Sequence, residues 1–391
     1  MTTKTRAPVT RKQLCAFRAR RQFLAPEARG HTPEDVFEIL KTLQPYPPSA
    51  GSMPGTPPHP RSRVVGYQEE WSQGWRASDM LVKGRFMSGN VAYVVREDLA
   101  LYAAAFRRRM RDPLPLPARS ILGLLERHGP MYKSALQELS DIERGRFNRA
   151  LASLYQAFEV MEMQRQVDWD SPWDLYRRAF PDADLDAWGQ ADARAEVLRR
   201  FTRAFGPATV VEMSDWSGWR QRTIQKLLDD LLQQGAVVAL EVEGQSQVAY
   251  LSSADIPALE NVAPISSFLD VLPSNDPLVL PQWSRVKAEY RSERLPYCLG
   301  VVVEDGAIVG AAWGHYKRKY AHIEELNLEP DIVHNPPHMD DVLAAVEAFV
   351  SGGYVPIRIH GINGPAEAPW TGEILRRNGY VWLDGYYVKE S

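Results

Sequence analysis

The chain has 391 residues, 45% of them hydrophobic and 24% charged, the balance of a soluble globular protein with room for several cores. At roughly 100–200 residues per domain, two to four domains are expected. The formal net charge is −3 and no apolar run approaches the ~18 residues of a membrane span, so neither a uniformly basic protein nor a membrane-embedded one is expected.

The N-terminal stretch MTTKTRAPVTRKQ has no apolar core of a signal peptide, and a cytoplasmic location is expected. Cys15 and Cys298 lie outside any CxxC pattern, which fits a reducing compartment and argues against a disulfide framework or a zinc knuckle. His334 and His338 are separated by Pro336 and Pro337, so they do not share a helical face as a zinc pair would; no metal site is expected.

In chain order, Arg11–Phe23 reads as a helix, and Thr32-Pro33-Glu34 opens a second with a cap and a proline at its first position. Residues 45–62 carry seven prolines (45, 47, 48, 54, 57, 58 and 60) and form a long loop. A helical piece is expected around Ala77–Val82, a strand at Asn90–Val95 and a helix at Arg96–Arg111. After the linker of Pro113, Pro115 and Pro117, Ile121, Leu122 and Leu125 mark a helix, followed by helices at Lys133–Leu139 and Glu143–Ala157 and a wing strand at Val160–Val167. The same order returns in Arg194–Phe205, Thr209–Ser217, Arg220–Gln234 and a hairpin from Ala236 to Leu251. From about residue 263 strand signals take over: a hairpin turning at Asp305-Gly306, a strand at Ala321–Leu328, a helix at Met339–Val350, and strands at Tyr354–His360 and Tyr380–Val388 flanking a helix at Thr371–Arg377.

Basic residues gather in three places: between Lys4 and Arg29, at Arg107, Arg108, Arg109 and Arg111, and at Lys317, Arg318 and Lys319. Such clusters point to a polyanion partner despite the acidic total. A helix–turn–helix exposes the outer face of its recognition helix to a DNA groove. On the first such helix that face carries Asn148, Arg149 and Gln156; on the second, Arg222, Gln225 and Lys226. These side chains suit base edges and phosphates. The eleven tryptophans are expected mainly in cores and seams. No GxxxxGK[ST] or G-x-S-x-G motif occurs, which excludes the common nucleotide-hydrolysis loop and the nucleophile elbow.

Several segments resemble the AlkZ/YcaQ superfamily of winged-helix DNA glycosylases, whose fold also resembles the C-terminal region of Lhr-type helicases. Gly206-Pro207-Ala208-Thr209 with Asp215-Trp216-Ser217-Gly218-Trp219 is similar to the family's central winged helix. Leu43-Gln44-Pro45-Tyr46-Pro47 is similar to its Leu-Gln-x-Gln/Asp loop, and Phe86–Asn90 through Glu97-Asp98-Leu99 to the strand and helix downstream. Leu272-Pro273, Asp276-Pro277 and the Val303–Trp313 hairpin match its C-terminal β domain in style; Ile362–Ala366, Leu375 and Gly379-Tyr380 resemble the closing segment of Lhr-type helicases.

The resemblance implies an α+β protein of tandem winged-helix domains with a β-rich C-terminal α/β domain, divided at 1–112, 113–170, 171–262 and 263–391. It implies double-stranded DNA as partner, no small-molecule cofactor, and room for protein partners in DNA metabolism. It places Gln44 and Tyr46 at the damaged nucleotide and offers Asp276, a carboxylate carried over from another family-like segment, for a catalytic or a purely structural role. Tyr46 stands where the family pattern has Gln or Asp. A phenol, with an ordinary pKa of about 10, is a poor base near neutrality. Two main readings follow: a repair-linked DNA-binding protein with N-glycosidic activity, weak or altered, and a non-catalytic DNA-binding adaptor or regulator. A protein-interaction scaffold is a third.

Overall fold

The computed structural model describes residues 8–48, 60–163, 170–292, 297–317, 320–351, 356–365 and 368–389. They form two compact units, one from the N-terminal residues up to Thr10 together with Arg29–Glu260, the other from Arg11–Ala28 together with Asn261 onward. The architecture is α+β with one large mixed sheet.

In the first unit, helix Pro33–Thr42 opens on a capping box: the Asp35 amide donates to the Thr32 hydroxyl and the Asp35 carboxylate accepts the Thr32 amide at 3.0 Å. The helix expected around Ala77–Val82 is displaced. Helix Glu69–Ala77 ends where the Ser78 hydroxyl donates to the Gly74 and Trp75 carbonyls and Asp79 turns left-handed at φ 60°. The apolar residues beyond it instead start strand Leu81–Arg85, paired antiparallel with Val91–Val95. Helix Leu99–Phe106 is apolar all round, hence buried, and packs along helix Gln190–Ala204.

Two segments of this unit share one plan. Helices Leu116–His128, Lys133–Ser140 and Arg144–Gln156 are joined by a three-stranded sheet in which Pro172–Leu175 lies between Met131–Tyr132 and Val160–Glu162. Helices Gln190–Ala204, Val210–Ser217 and Gln221–Gln233 are joined by a sheet in which Ala249–Ser252 lies between Ala208–Thr209 and Val237–Leu240. In both plans the short strand ahead of the middle helix pairs with the last strand and so ties the helical turn to the hairpin. The expected wing strand Val160–Val167 is observed to Glu162; residues 164–169 lie outside the described residues.

The second unit is built on seven strands. Their order is Val381–Leu383, Tyr386–Val388, Ile357–Ile362, Tyr320–Leu328, Ala307–Lys317, Cys298–Glu304 and Leu269–Leu272. Neighbours are antiparallel except Tyr320–Leu328 with Ile357–Ile362, which run parallel. That pair needs a crossover, and helix Pro336–Ser351 supplies it, burying Met339, Val342, Leu343 and Val346 against one face. On the other face Val301, Val303, Ala311 and Trp313 pack with Val286 and with Ala19, Leu24 and Ala25.

Helix Arg11–Arg21 was expected within a domain spanning 1–112 but packs in this unit. Its small residues admit the Asp305-Gly306 turn; a side chain at Gly306, where φ is 80°, would lie 2.6 Å from the Cys15 carbonyl oxygen. The single strand expected at Tyr380–Val388 is a hairpin, because Asp384 and Gly385 both adopt positive φ.

Trp216 is the largest fully buried side chain, with ring centroids of Phe201, Phe205 and Phe106 at 4.7, 5.8 and 5.9 Å. Trp216→Ala is therefore expected to destabilise the first unit by about 3–5 kcal/mol in chemical denaturation. An unchanged midpoint would contradict this packing.

Candidate nucleic-acid interface

The run Arg107–Arg111 was expected to continue a helix. The helix ends at Phe106, and Arg107 is extended at φ −52° and ψ 127°. Two contacts fix the exit. The Phe106 ring lies 5.1 Å from Trp219, and the Arg108 amide donates to the Gln156 carbonyl at 3.0 Å. Freed from helical spacing, the arginines line two adjoining recesses.

The first, of 420 Å³, takes Arg108, Arg109 and Arg111 together with Arg146 and Arg149 of helix Arg144–Gln156. The second, of 380 Å³, has Phe86, Phe106 and Trp219 for aromatic lining, with Arg85, Arg107, Arg108 and Arg194 around them. Neither is lined by an Asp or Glu.

The partners of these arginines are mostly neutral. Arg85 donates to the Gly89 carbonyl at 3.0 Å, Arg108 to the Gln156 side-chain oxygen at 3.2 Å, and Arg194 to the Ala105 carbonyl at 3.0 Å while lying over the Trp219 ring. Arg107 alone meets a carboxylate, Asp186 at 2.5 Å. Among the described residues, Arg85, Arg108, Arg109, Arg111, Arg146, Arg149 and Arg194 are in no ion pair. Glu143 feels Arg149 and Arg146, but its carboxylate caps the Gly145 and Arg146 amides. Burial lowers the pKa of Arg194 from its ordinary value, so part of its hydration is already lost. Such a surface attracts an anion more strongly than a solvated, paired one does.

Asn148 and Arg149 are exposed on helix Arg144–Gln156, and Gln156 is half-buried against Arg108. On helix Gln221–Gln233, Arg222 and Lys226 are exposed, while the Gln225 amide donates to Asp229 at 2.9 Å. Of these six, Arg149 and Gln156 border the recesses; Asn148, Arg222, Gln225 and Lys226 do not. Lys317 is exposed at the end of strand Ala307–Lys317 in the second unit; Arg318 and Lys319 lie outside the described residues. Arg85 and Arg194 carry no signal in the sequence, since they stand in separate segments, and Arg146 shares its helix with Arg149 but is not among the residues expected to face DNA. Arg108 was visible as part of the 107–111 run.

Gln44 and Tyr46 point inward. The Gln44 amide nitrogen donates to Asp98 at 2.6 Å, its side-chain oxygen accepts the Val95 amide at 2.9 Å, and its carbonyl accepts the Tyr102 hydroxyl. Asp98 is also paired with Arg200 at 2.8 Å. Tyr46 and Tyr93 exchange both backbone hydrogen bonds at 2.8 Å, and the Tyr46 hydroxyl accepts from Arg63 at 3.3 Å. Both side chains are buried, and neither lines either of these two recesses. Asp276, in the second unit, is buried at a turn where its carboxylate accepts the Leu278 amide at 2.8 Å. These bonds tie the loop to the strand and helix beside it. Gln44→Ala leaves the Val95 amide unpaired and removes one donor from Asp98, so a stability loss of about 1–3 kcal/mol is expected in thermal denaturation. An unchanged melting temperature would contradict the tying role.

A family model described as DNA glycosylase AlkZ-like matches residues 59–351. Among solved structures, the Streptomyces sahachiroi DNA glycosylase AlkZ is similar at a TM-score of 0.65 and 17% identity, covering 90% of this chain and 100% of that one. At that identity the likeness is one of fold. No curated protein matches the sequence. With the family model spanning well over half of its length, the chain belongs to the AlkZ-like DNA glycosylase family.

Proposed function

We propose that this protein holds duplex DNA on the arginine-lined face of its first unit, in a repair-related role, and that N-glycosidic cleavage at the Gln44–Tyr46 loop is weak or absent. The two repeated helix–hairpin segments act as winged helices in this reading. One observation carries it: basic side chains converge from the 107–111 run, from Arg85, from Arg146 and Arg149, and from Arg194, and among the described residues Arg107 alone of them is paired with a carboxylate. Phosphates are the partner for such a surface, and they set position rather than sequence.

The chemistry of the second recess supports binding over cleavage. Its 380 Å³ and the half-buried Phe106 ring suit a base taken out of the stack. Departure of that base, however, leaves positive charge on the sugar, which a nearby carboxylate would stabilise. The recess offers arginines and Gln156 instead. Gln44 has the side chain for a role at the nucleotide, but both ends of its amide are engaged with Asp98 and Val95. The non-catalytic adaptor or regulator is the extreme of the same reading, with base release wholly lost.

Two outcomes are expected. Arg108→Ala with Arg149→Ala should weaken binding to plain duplex by roughly ten-fold or more at moderate salt, in fluorescence anisotropy, with melting temperature retained. Arg222→Ala with Lys226→Ala should weaken it less, because those side chains border neither recess. Equal losses would put both helices in the contact. On duplexes carrying alkylated or deaminated bases, release is expected to stay at or close to background; rapid multiple-turnover release that Gln44→Ala abolishes in folded protein would overturn the weak-cleavage half of the proposal.

A further inference from the structure

Independently of DNA, the geometry points to a transition-metal site on the seven-stranded sheet, formed by His315, His322 and Glu324. The ligand atoms of these three residues all lie within 4.8 Å of one another. His315 and His322 are directly paired across antiparallel strands, their rings 5.0 Å apart and 2° from parallel. Glu324 joins them through a bulge. The register between Ala307–Lys317 and Tyr320–Leu328 shifts at Trp313/Gly314, whose partners are Glu325 and Ile323, so Glu324 is the extra residue. A bulge re-aims a side chain, and here the Glu324 carboxylate lies 3.8 Å from the His315 Nδ1.

A second observation points to a ligand. His322 is only 7% exposed, and its Nδ1 is buried with no hydrogen-bond partner. A buried polar atom without a partner is costly, and a coordinate bond would satisfy it. The Tyr386 hydroxyl donates to Glu324 at 3.1 Å, the kind of outer contact that orients a ligating carboxylate. Two imidazoles and one carboxylate leave a coordination position for water, as in open sites.

The surroundings select the ion. The guanidinium of Arg358 lies 3.9 Å from the Tyr320 ring centroid, and both Arg358 and Lys317 act electrostatically on His322. One carboxylate beside two cations gives little purchase to Mg²⁺ or Ca²⁺, which rely on charged oxygens. Zn²⁺, Co²⁺, Ni²⁺ and Cu²⁺ bind imidazole well. The spacing His315–His322–Glu324 does not advertise this in the sequence, because strand pairing and the bulge create it. The expectation of no metal rests on the spacing of Cys15 and Cys298 and of His334 and His338, and does not touch this strand pair. Bound across two strands, the ion would staple the middle of the sheet.

The test uses the full chain after chelator treatment, titrated with Zn²⁺ by calorimetry and with Co²⁺ by visible absorption. One ion per chain and cobalt ligand-field bands are expected. His322→Ala and Glu324→Gln should each reduce Zn²⁺ affinity at least ~ten-fold, and Tyr386→Phe by roughly ten-fold. Glu324 is half-buried, so Glu324→Gln keeps the test valid if His322→Ala fails to fold. The proposal is overturned by absence of Zn²⁺ binding, by binding undiminished in Glu324→Gln, or by a melting temperature raised by inorganic phosphate and not by Zn²⁺, which would make this an anion site.

Discussion

The contact of Phe106 with Trp216 and Trp219 decides where the arginine run leaves its helix, and the candidate interface depends on that exit. Had Arg107–Arg111 stayed helical, its side chains would have spread around an axis. An extended exit, held by the Arg108 amide on the Gln156 carbonyl, lets Arg108 border both recesses. The same aromatic cluster joins helix Leu99–Phe106 to the second helix–hairpin segment through Phe201 and Phe205. Core packing and surface charge are thus set by one group of rings.

The Gln44–Tyr46 loop shows how a segment that resembles a catalytic motif can be held structurally. Gln44 bonds to a strand through Val95 and to a helix entry through Asp98, and Arg200 of a further helix closes the group. Each bond is modest. Breaking one leaves a partner unsatisfied inside the protein, where the penalty exceeds the bond's net contribution. A site for chemistry would need at least one end of that amide free to meet substrate.

Much of the fold was legible. Helices carried by heptad-like apolar spacing, such as Gln221–Gln233 with Ile224, Leu228 and Leu231, stand within a residue or two of expectation. The Asp-Gly signal predicts the turn at Asp305-Gly306, and the same dipeptide at Asp384-Gly385, both at positive φ, folds the segment expected as one strand into a hairpin. The helix expected near Ala77–Val82 failed because a left-handed Asp79 has no strong local signature. Long-range effects were not legible: that helix Arg11–Arg21 packs with the C-terminal sheet, or that isolated Arg85 and Arg194 reach one recess. The order of segments carried the family resemblance, but side-chain direction at Gln44 and Tyr46 depends on partners distant in sequence.

The central claim is that uncompensated arginines in the first unit meet phosphates. The most direct measurement is the affinity of the intact chain for an undamaged duplex across a range of salt concentrations. Neutralising roughly five phosphates gives a slope of about −4.5 in log K against log salt. A steep negative slope of that order is the predicted result; an affinity indifferent to ionic strength would contradict the account.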